Sequence, residues 1–196
     1  MKLLVATTNP GKVREYATLL AGLNIELIGL KDVGILTDVD ETGSTYAENA
    51  ALKARTYAQL SGLLALADDS GLEVDALGGR PGVHSSRYAP DSPTRIQKLL
   101  KELEGVSADR RTARFQCVIA LAAPDGRLEL TCGTVEGVIT HAPRGDNGFG
   151  YDPIFYLPER GVTLAELPAE EKDLISHRGL AAKELRPILE KIVNAA

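Results

Sequence analysis

The stretch Leu63-Leu64-Ala65-Leu66-Ala67-Asp68-Asp69-Ser70-Gly71 decides how the rest of the chain is read. A short apolar run that follows a glycine, here Gly62, predicts a buried strand from Leu63 to Ala67. Two carboxylates, a hydroxyl and a glycine close it, and ligands of open α/β sheets bind at the carboxyl ends of strands. Two adjacent acids are costly to bury unless a cation or a proton transfer uses them. The run reads as a catalytic or metal-binding strand end. Neighbouring strand residues point to opposite faces, so Asp68 and Asp69 cannot both face one ligand unless the strand is already breaking. One should face the site while the other bonds inward.

Strand and helix patterns alternate outward from this run. Leu3 to Ala6 reads as a first strand, and Asn9 with Pro10 signals the cap and first position of a helix. The apolar residues of that helix, Val13, Tyr16, Ala17, Leu20 and Leu23, follow the helical period. Ile25 to Leu30 gives another strand. Thr45-Tyr46-Ala47-Glu48 has the capping-box pattern and opens a helix to about Ser61. Asp91-Ser92-Pro93 starts a helix carrying Ile96, Leu99, Leu100 and Leu103. Arg114 to Ala122 and Leu128 to Val138 form a hairpin across Pro124-Asp125-Gly126, and the glycine-rich segment Gly145 to Pro153 is a loop. A last helix runs from about Ser176 to Val193, where Pro187 is expected to kink or interrupt it. The simplest architecture is α/β, a mixed sheet with helices on its faces.

The 196 residues suffice for one domain, or one domain with a lobe. An apolar content of 44% with 25% charged residues is ordinary for a globular chain. A net charge of −5 argues against holding nucleic acid by bulk electrostatics but leaves room for a small phosphorylated ligand on a few local cations. No apolar run approaches a membrane span, and Met1 to Ala6 is too short for a signal peptide. The expected compartment is the cytoplasm, without a nucleic-acid or membrane partner. Cys117 and Cys132, the two cysteines, read as reduced core thiols and are too few for a zinc site.

Three polar constellations carry chemistry. Thr7-Thr8-Asn9-Pro10-Gly11-Lys12 lies between the first strand and helix, where free N–H groups, hydroxyls and an ammonium attract anions. Its plainer reading is a helix cap with a solvated lysine. The acidic pair is the second, with Asp40-Glu41-Thr42-Gly43 adding carboxylates that suit a hard cation such as Mg²⁺. Glu48 is better explained by the capping box. The third comprises Phe149-Gly150-Tyr151-Asp152, Lys172 and Ser176-His177-Arg178. A phenylalanine between glycines offers a stacking face for a base, and an arginine suits a carbonyl oxygen. Alternatively, His177 and Arg178 are exposed side chains at a helix start. His84 and His141 read as structural.

Together with Leu77-Gly78-Gly79-Arg80-Pro81-Gly82-Val83 and Ser86-Arg87-Tyr88, these motifs resemble the inosine triphosphate pyrophosphatase family in order and spacing across nearly the whole chain. The resemblance implies a single domain over residues 1–196, with two lobes around a central cleft and an elongated mixed sheet flanked by helices. It also implies a homodimer that hydrolyses non-standard purine nucleoside triphosphates such as ITP, dITP and XTP to the monophosphate and pyrophosphate with Mg²⁺. By the same resemblance Asp69 is the general base and approaches the metal, with Glu41 as the second metal carboxylate. Thr7, Thr8, Asn9, Pro10, Gly11 and Lys12 hold the triphosphate, and Ser70 touches substrate. Phe149, Gly150, Tyr151, Asp152, Lys172, His177 and Arg178 contact base and phosphates. Arg178 facing the ring oxygen O6 would explain rejection of adenine. The alternatives are a Maf-like pyrophosphatase for altered pyrimidine nucleotides and a nucleotide sensor without turnover.

Overall fold

The computed structural model describes residues 1–195. In chain order the elements are β1 (Lys2–Val5), α1 (Pro10–Leu19), β2 (Glu26–Gly29), α2 (Tyr46–Ser61), β3 (Leu64–Val74) and α3 (Ser92–Glu102). They continue with β4 (Thr112–Ala122), β5 (Leu128–Ile139), β6 (Phe155–Leu157), β7 (Val162–Thr163), α4 (Ala169–Ile175) and α5 (His177–Ala195), with short 3-10 turns between. The strands form one mixed sheet in the order β2-β1-β3-β4-β5-β6-β7. β1 is parallel to β2 and β3, whereas β6 is antiparallel to β5 and β7. The chain divides into two compact units, one of residues 1–69, 117–133 and 177 onward, the other of residues 70–116 and 134–176.

In the first unit the alternation of β3 sorts the core into two layers. Leu66 packs with Leu3, Val5, Tyr16, Ile119 and Leu185, against α1 and α5. Ala65 and Ala67 face Ala50, Ala54 and Ala58, the small-residue stripe of α2. α5 approaches the sheet closely at Gly133, where an added Cβ would lie 2.1 Å from the His177 carbonyl oxygen. The absence of a side chain at Gly133 lets the start of α5 meet the strand.

In the second unit α3 lays Ile96 and Leu99 on a core with Leu72, Val74, Phe115 and Phe155. Buried Arg111 donates to the carbonyls of Leu103, Ile139 and Thr140, tying the end of α3 to the end of β5. Its charge is favourable at a helix C-terminus.

The sequence expectations hold for most elements, with instructive exceptions. β3 does not end at Ala67 but continues through Asp68, Asp69, Ser70 and Gly71 to Val74. Leu72 and Val74 resume the buried alternation, and the acids between are covered on both faces by polar partners, so the ladder has no reason to stop. α5 is continuous through Pro187; Leu185 and Leu189, both fully buried, hold the turns on either side of it to one core. Val13 and Ala17 of α1 are exposed, so its buried stripe is narrower than the pattern implied. α4 was not foreseen, because seven residues are too few to display a period. Of the two free cysteines Cys117 is buried, but Cys132 is exposed rather than in the core.

Candidate active site

Asp68 shares its strand face with Leu66, and its surroundings are ionic. Its Oδ2 lies 2.9 Å from Lys12 Nζ and 3.0 Å from Arg178 Nη2. It also accepts from Arg178 Nε at 3.3 Å and from Cys117 Sγ at 3.7 Å. Arg178 in turn reaches Glu15 Oε2 at 2.5 Å. Burial alone would raise the Asp68 pKa, but Lys12, Arg178 and Lys53 outweigh it and hold the carboxyl well below its usual range. Burial and the Asp68 charge push the thiol of Cys117 in the opposite direction, keeping it protonated as a donor.

Asp69 faces the α2 layer with Ala65 and Ala67. Asn49 Nδ2 donates to its Oδ2 at 3.0 Å, and Lys53 Nζ stands 3.9 Å from Oδ1. Asn49 and Lys53 are one helical turn apart and so share a face of α2. The Gly43 N–H donates to Asn49 Oδ1 at 2.8 Å, which fixes the amide so that its NH₂ points at Asp69. Gly43 must lack a side chain there, since a Cβ would lie 2.7 Å from that same oxygen. Glu48 caps α2 as expected, accepting from the N–H groups of Ser44 and Thr45. The cap seats the segment that delivers Glu41, whose Oε1 is 2.5 Å from Lys53 Nζ. Asp40 is exposed, so Glu41 is the carboxylate gathered to this cluster. Burial raises the Asp69 pKa beyond what Lys53 and the Asn49 bond offset, and nearby Glu41 adds to the rise. A carboxylate displaced upward is better suited to accept a proton near neutrality.

At the start of α1 Asn9 Oδ1 accepts the Gly11 N–H at 2.8 Å and Thr7 Oγ1 accepts the Asn9 N–H at 3.2 Å. Thr8 and Pro10 are exposed, while Lys12 turns inward to Asp68 rather than standing solvated. Ser70 follows in β3, half-buried.

The second unit holds the aromatic loop. Lys172 Nζ and Asp152 Oδ2 form a buried pair at 2.7 Å, and Asp152 Oδ2 also accepts the Phe149 N–H at 2.8 Å. Lys172 Nζ sits 4.9 Å from the centroid of the half-buried Phe149 ring, within cation–π range. Gly148 has φ +77°, and a Cβ there would strike Asp152 Oδ2 at 2.1 Å, so glycine is required for the loop to close on its acid. Gly150 is also left-handed, at φ +67°. Tyr151 is buried and donates its hydroxyl to the Ser85 carbonyl.

Residues 3–188 match the Ham1 family. The chain belongs to the Ham1 family. Ham1 relatives resemble it end to end. The dITP/XTP pyrophosphatase of Listeria monocytogenes serotype 4b is 51% identical over 196 residues, covering 98% of this chain and 97% of that protein. The dITP/XTP pyrophosphatase of Geobacillus kaustophilus is 52% identical over 196 residues, with 98% and 96% covered. The solved Ham1 protein of Coxiella burnetii superposes with a TM-score of 0.89 at 45% identity, spanning 97% of this chain and 99% of that one. The Staphylococcus aureus Ham1 protein gives 0.87 at 40%, with 98% and 100%.

Within this Ham1 chain the structure gathers Lys12, Glu41, Asp69 and Arg178 in the first unit, and Phe149 to Asp152 with Lys172 in the second. His177 and Arg178 are buried rather than exposed at their helix start. The guanidinium of Arg178 is held by Asp68 and Glu15, so in this geometry it serves that carboxylate instead of standing open to a ring. Lys53 and Glu15 escaped the sequence reading. Their signal was a charged residue one turn from Asn49 on the small-residue stripe of α2, and one beside the buried Tyr16 of α1.

Proposed function

We propose that this chain hydrolyses dITP, XTP and ITP to the nucleoside monophosphate and pyrophosphate, removing them from the nucleotide pool. The observation that carries the reading is Asp69, a buried carboxylate on an interior strand of the sheet, clamped by Asn49 on one oxygen. Its other oxygen lies 3.9 Å from the Lys53 ammonium, which also holds Glu41. Asp69 takes the proton of a water that attacks the α-phosphorus; the bond from that phosphorus to its bridging oxygen breaks and pyrophosphate departs. Thr7 to Lys12 and Ser70 meet the phosphates, with the backbone N–H groups at the start of α1 favouring anionic oxygens.

Glu41 and Asp69 fit Mg²⁺, because both are hard oxygen donors and already converge on one cation, the Lys53 ammonium. Glu41 and Asp69 would hold Mg²⁺ there, and the ion would supply neutralisation of the negative charge on the phosphates. Phe149 supplies the stacking face for the base, and its loop is stiffened by the Asp152–Lys172 pair. The family resemblance assigns His177 and Arg178 to base and phosphate contacts; with its guanidinium committed to Asp68 and Glu15, Arg178 serves the site by holding Asp68. We assign the protein to the cytoplasm and to a homodimer on the strength of the family resemblance.

Pyrophosphate release from ITP, dITP, XTP, ATP and GTP, measured with Mg²⁺ and with chelator, tests the reading. The first three should turn over and chelator should stop them. Equal turnover of ATP, or orthophosphate as the first product, would overturn it.

A further inference from the structure

The segment Leu77-Gly78-Gly79-Arg80-Pro81-Gly82-Val83 and the residues after it have no part in the chemistry above, yet the second unit is organised around them. After β3 the chain turns at Gly78 and Gly79, with φ +65° and +85°, and comes back onto the strand. The Gly79 N–H bonds the Val74 carbonyl at 3.0 Å and the Val74 N–H bonds the Arg80 carbonyl at 3.3 Å. The return delivers the 3-10 segment Gly82–Arg87 with Ser85 buried against β3.

Ser85 makes bonds in two directions. Its Oγ accepts the Leu72 N–H at 2.8 Å and donates to the Gly82 carbonyl at 2.6 Å. Its carbonyl accepts the hydroxyl of Tyr151 at 3.0 Å. Leu72 lies three residues beyond Asp69 in the same strand, and Tyr151 lies two beyond Phe149. Tyr151 is buried, which raises its pKa and keeps it a donor throughout the working pH range. The aromatic loop thus has two tethers. Asp152 holds it to Lys172, and Tyr151 holds it to a serine that is itself pinned to β3.

We propose that Ser85, through the Tyr151 hydroxyl, is a positioning residue that sets the Phe149 loop for the purine ring, the glycine-rich return serving to place it. The proposal rests on the functional reading above. Because the ring contributes equally to ground and transition states, loosening the loop removes uniform binding and raises KM while sparing kcat.

Kinetics on dITP with Mg²⁺ test this, with wild type, Tyr151→Phe, Ser85→Ala, Ser85→Thr and the double variant Tyr151→Phe/Ser85→Ala. Tyr151→Phe and Ser85→Ala should each raise KM about three- to tenfold, the worth of one hydrogen bond, with kcat within about twofold. Ser85→Thr, which keeps the hydroxyl, should restore KM, and the double variant should be no worse than the weaker single one, since both cut one chain of bonds. An unchanged KM in Tyr151→Phe, or a fall in kcat at constant KM, overturns the proposal. Tyr151→Phe decides the matter alone if Ser85→Ala does not fold. Absence of wild-type turnover would instead overturn the functional reading, a result distinguishable from either.

Discussion

Asp68 and Asp69 are neighbours in an unbroken strand, yet their carboxylates lie on opposite faces of the sheet. Asp68 is held by Lys12 and Arg178 in the layer of α1 and α5, and Asp69 by Asn49 and Lys53 in the layer of α2. One strand therefore carries two acids with opposite electrostatic fates, one driven down in pKa and the other up. Environments that push two titratable groups apart in this way separate a permanently charged anchor from a group able to take a proton.

Replacing the proton acceptor separates chemistry from folding. Asp69→Asn keeps the size and the strand position, so the protein should fold and bind nucleotide while turnover falls about 10²- to 10⁴-fold. Pyrophosphate release together with nucleotide titration measures both, and a near-normal rate would remove Asp69 from the role of base.

Asp68→Asn should act through stability. It leaves Lys12 and Arg178 with reduced compensation, and breaking a buried ion pair costs about 3–5 kcal/mol. Denaturant melts near neutral pH should show a loss of that order.

The same contrast has a pH signature. The folded-state pKa of Asp68 lies below its unfolded value, so its stabilisation is present above about pH 4. It is lost as pH falls toward the folded value. The stability gap between wild type and Asp68→Asn should be full at neutral pH and narrow as the melts are taken below about pH 4. A gap that widens on acidification would contradict the assigned charge state.

Gly43→Ala is a test of orientation. The added methyl would lie 2.7 Å from Asn49 Oδ1 and from Glu48 Cβ, so the Gly43–Asn49 bond should break and the Asn49 amide lose its fixed direction. Turnover should drop about tenfold or more, as misplacement of catalytic groups does, with a smaller change in melting temperature. Steady-state kinetics and thermal melts of the variant report the two quantities.

Gly133→Ala should do the reverse. The obstacle there is backbone, the His177 carbonyl at 2.1 Å and the Ala181 nitrogen at 2.6 Å, so α5 must move off the sheet. Overpacking of this kind costs about 1–3 kcal/mol or more, which thermal melting would show.

What the sequence revealed follows from the range of the interactions. Local grammar was readable: Asn9 and Pro10 at the start of α1, the Thr45–Glu48 box on α2 and Asp91 on α3 all cap the helices they signalled. The end of β3 was misjudged because Asp68-Asp69-Ser70-Gly71 has turn composition, and only partners elsewhere in the chain let a strand bury it. Arg178 meets Asp68 across 110 positions and Glu15 across 163, distances over which no spacing rule operates. Lys53 drew no reading from the sequence, because its meeting with Glu41 depends on a loop whose path is set by Gly43 and Glu48.

The continuity of β3 through its acids also governs local opening. A base carried on a loop is released whenever the loop frays, but Asp69 is in the body of β3, which runs from Leu64 to Val74 between β1 and β4 in the sheet. Freeing it requires separating core strands, which is among the costliest of local openings. Amide protons around Asp69 should accordingly exchange among the slowest in the protein, and the carboxylate should hold its place as substrates come and go.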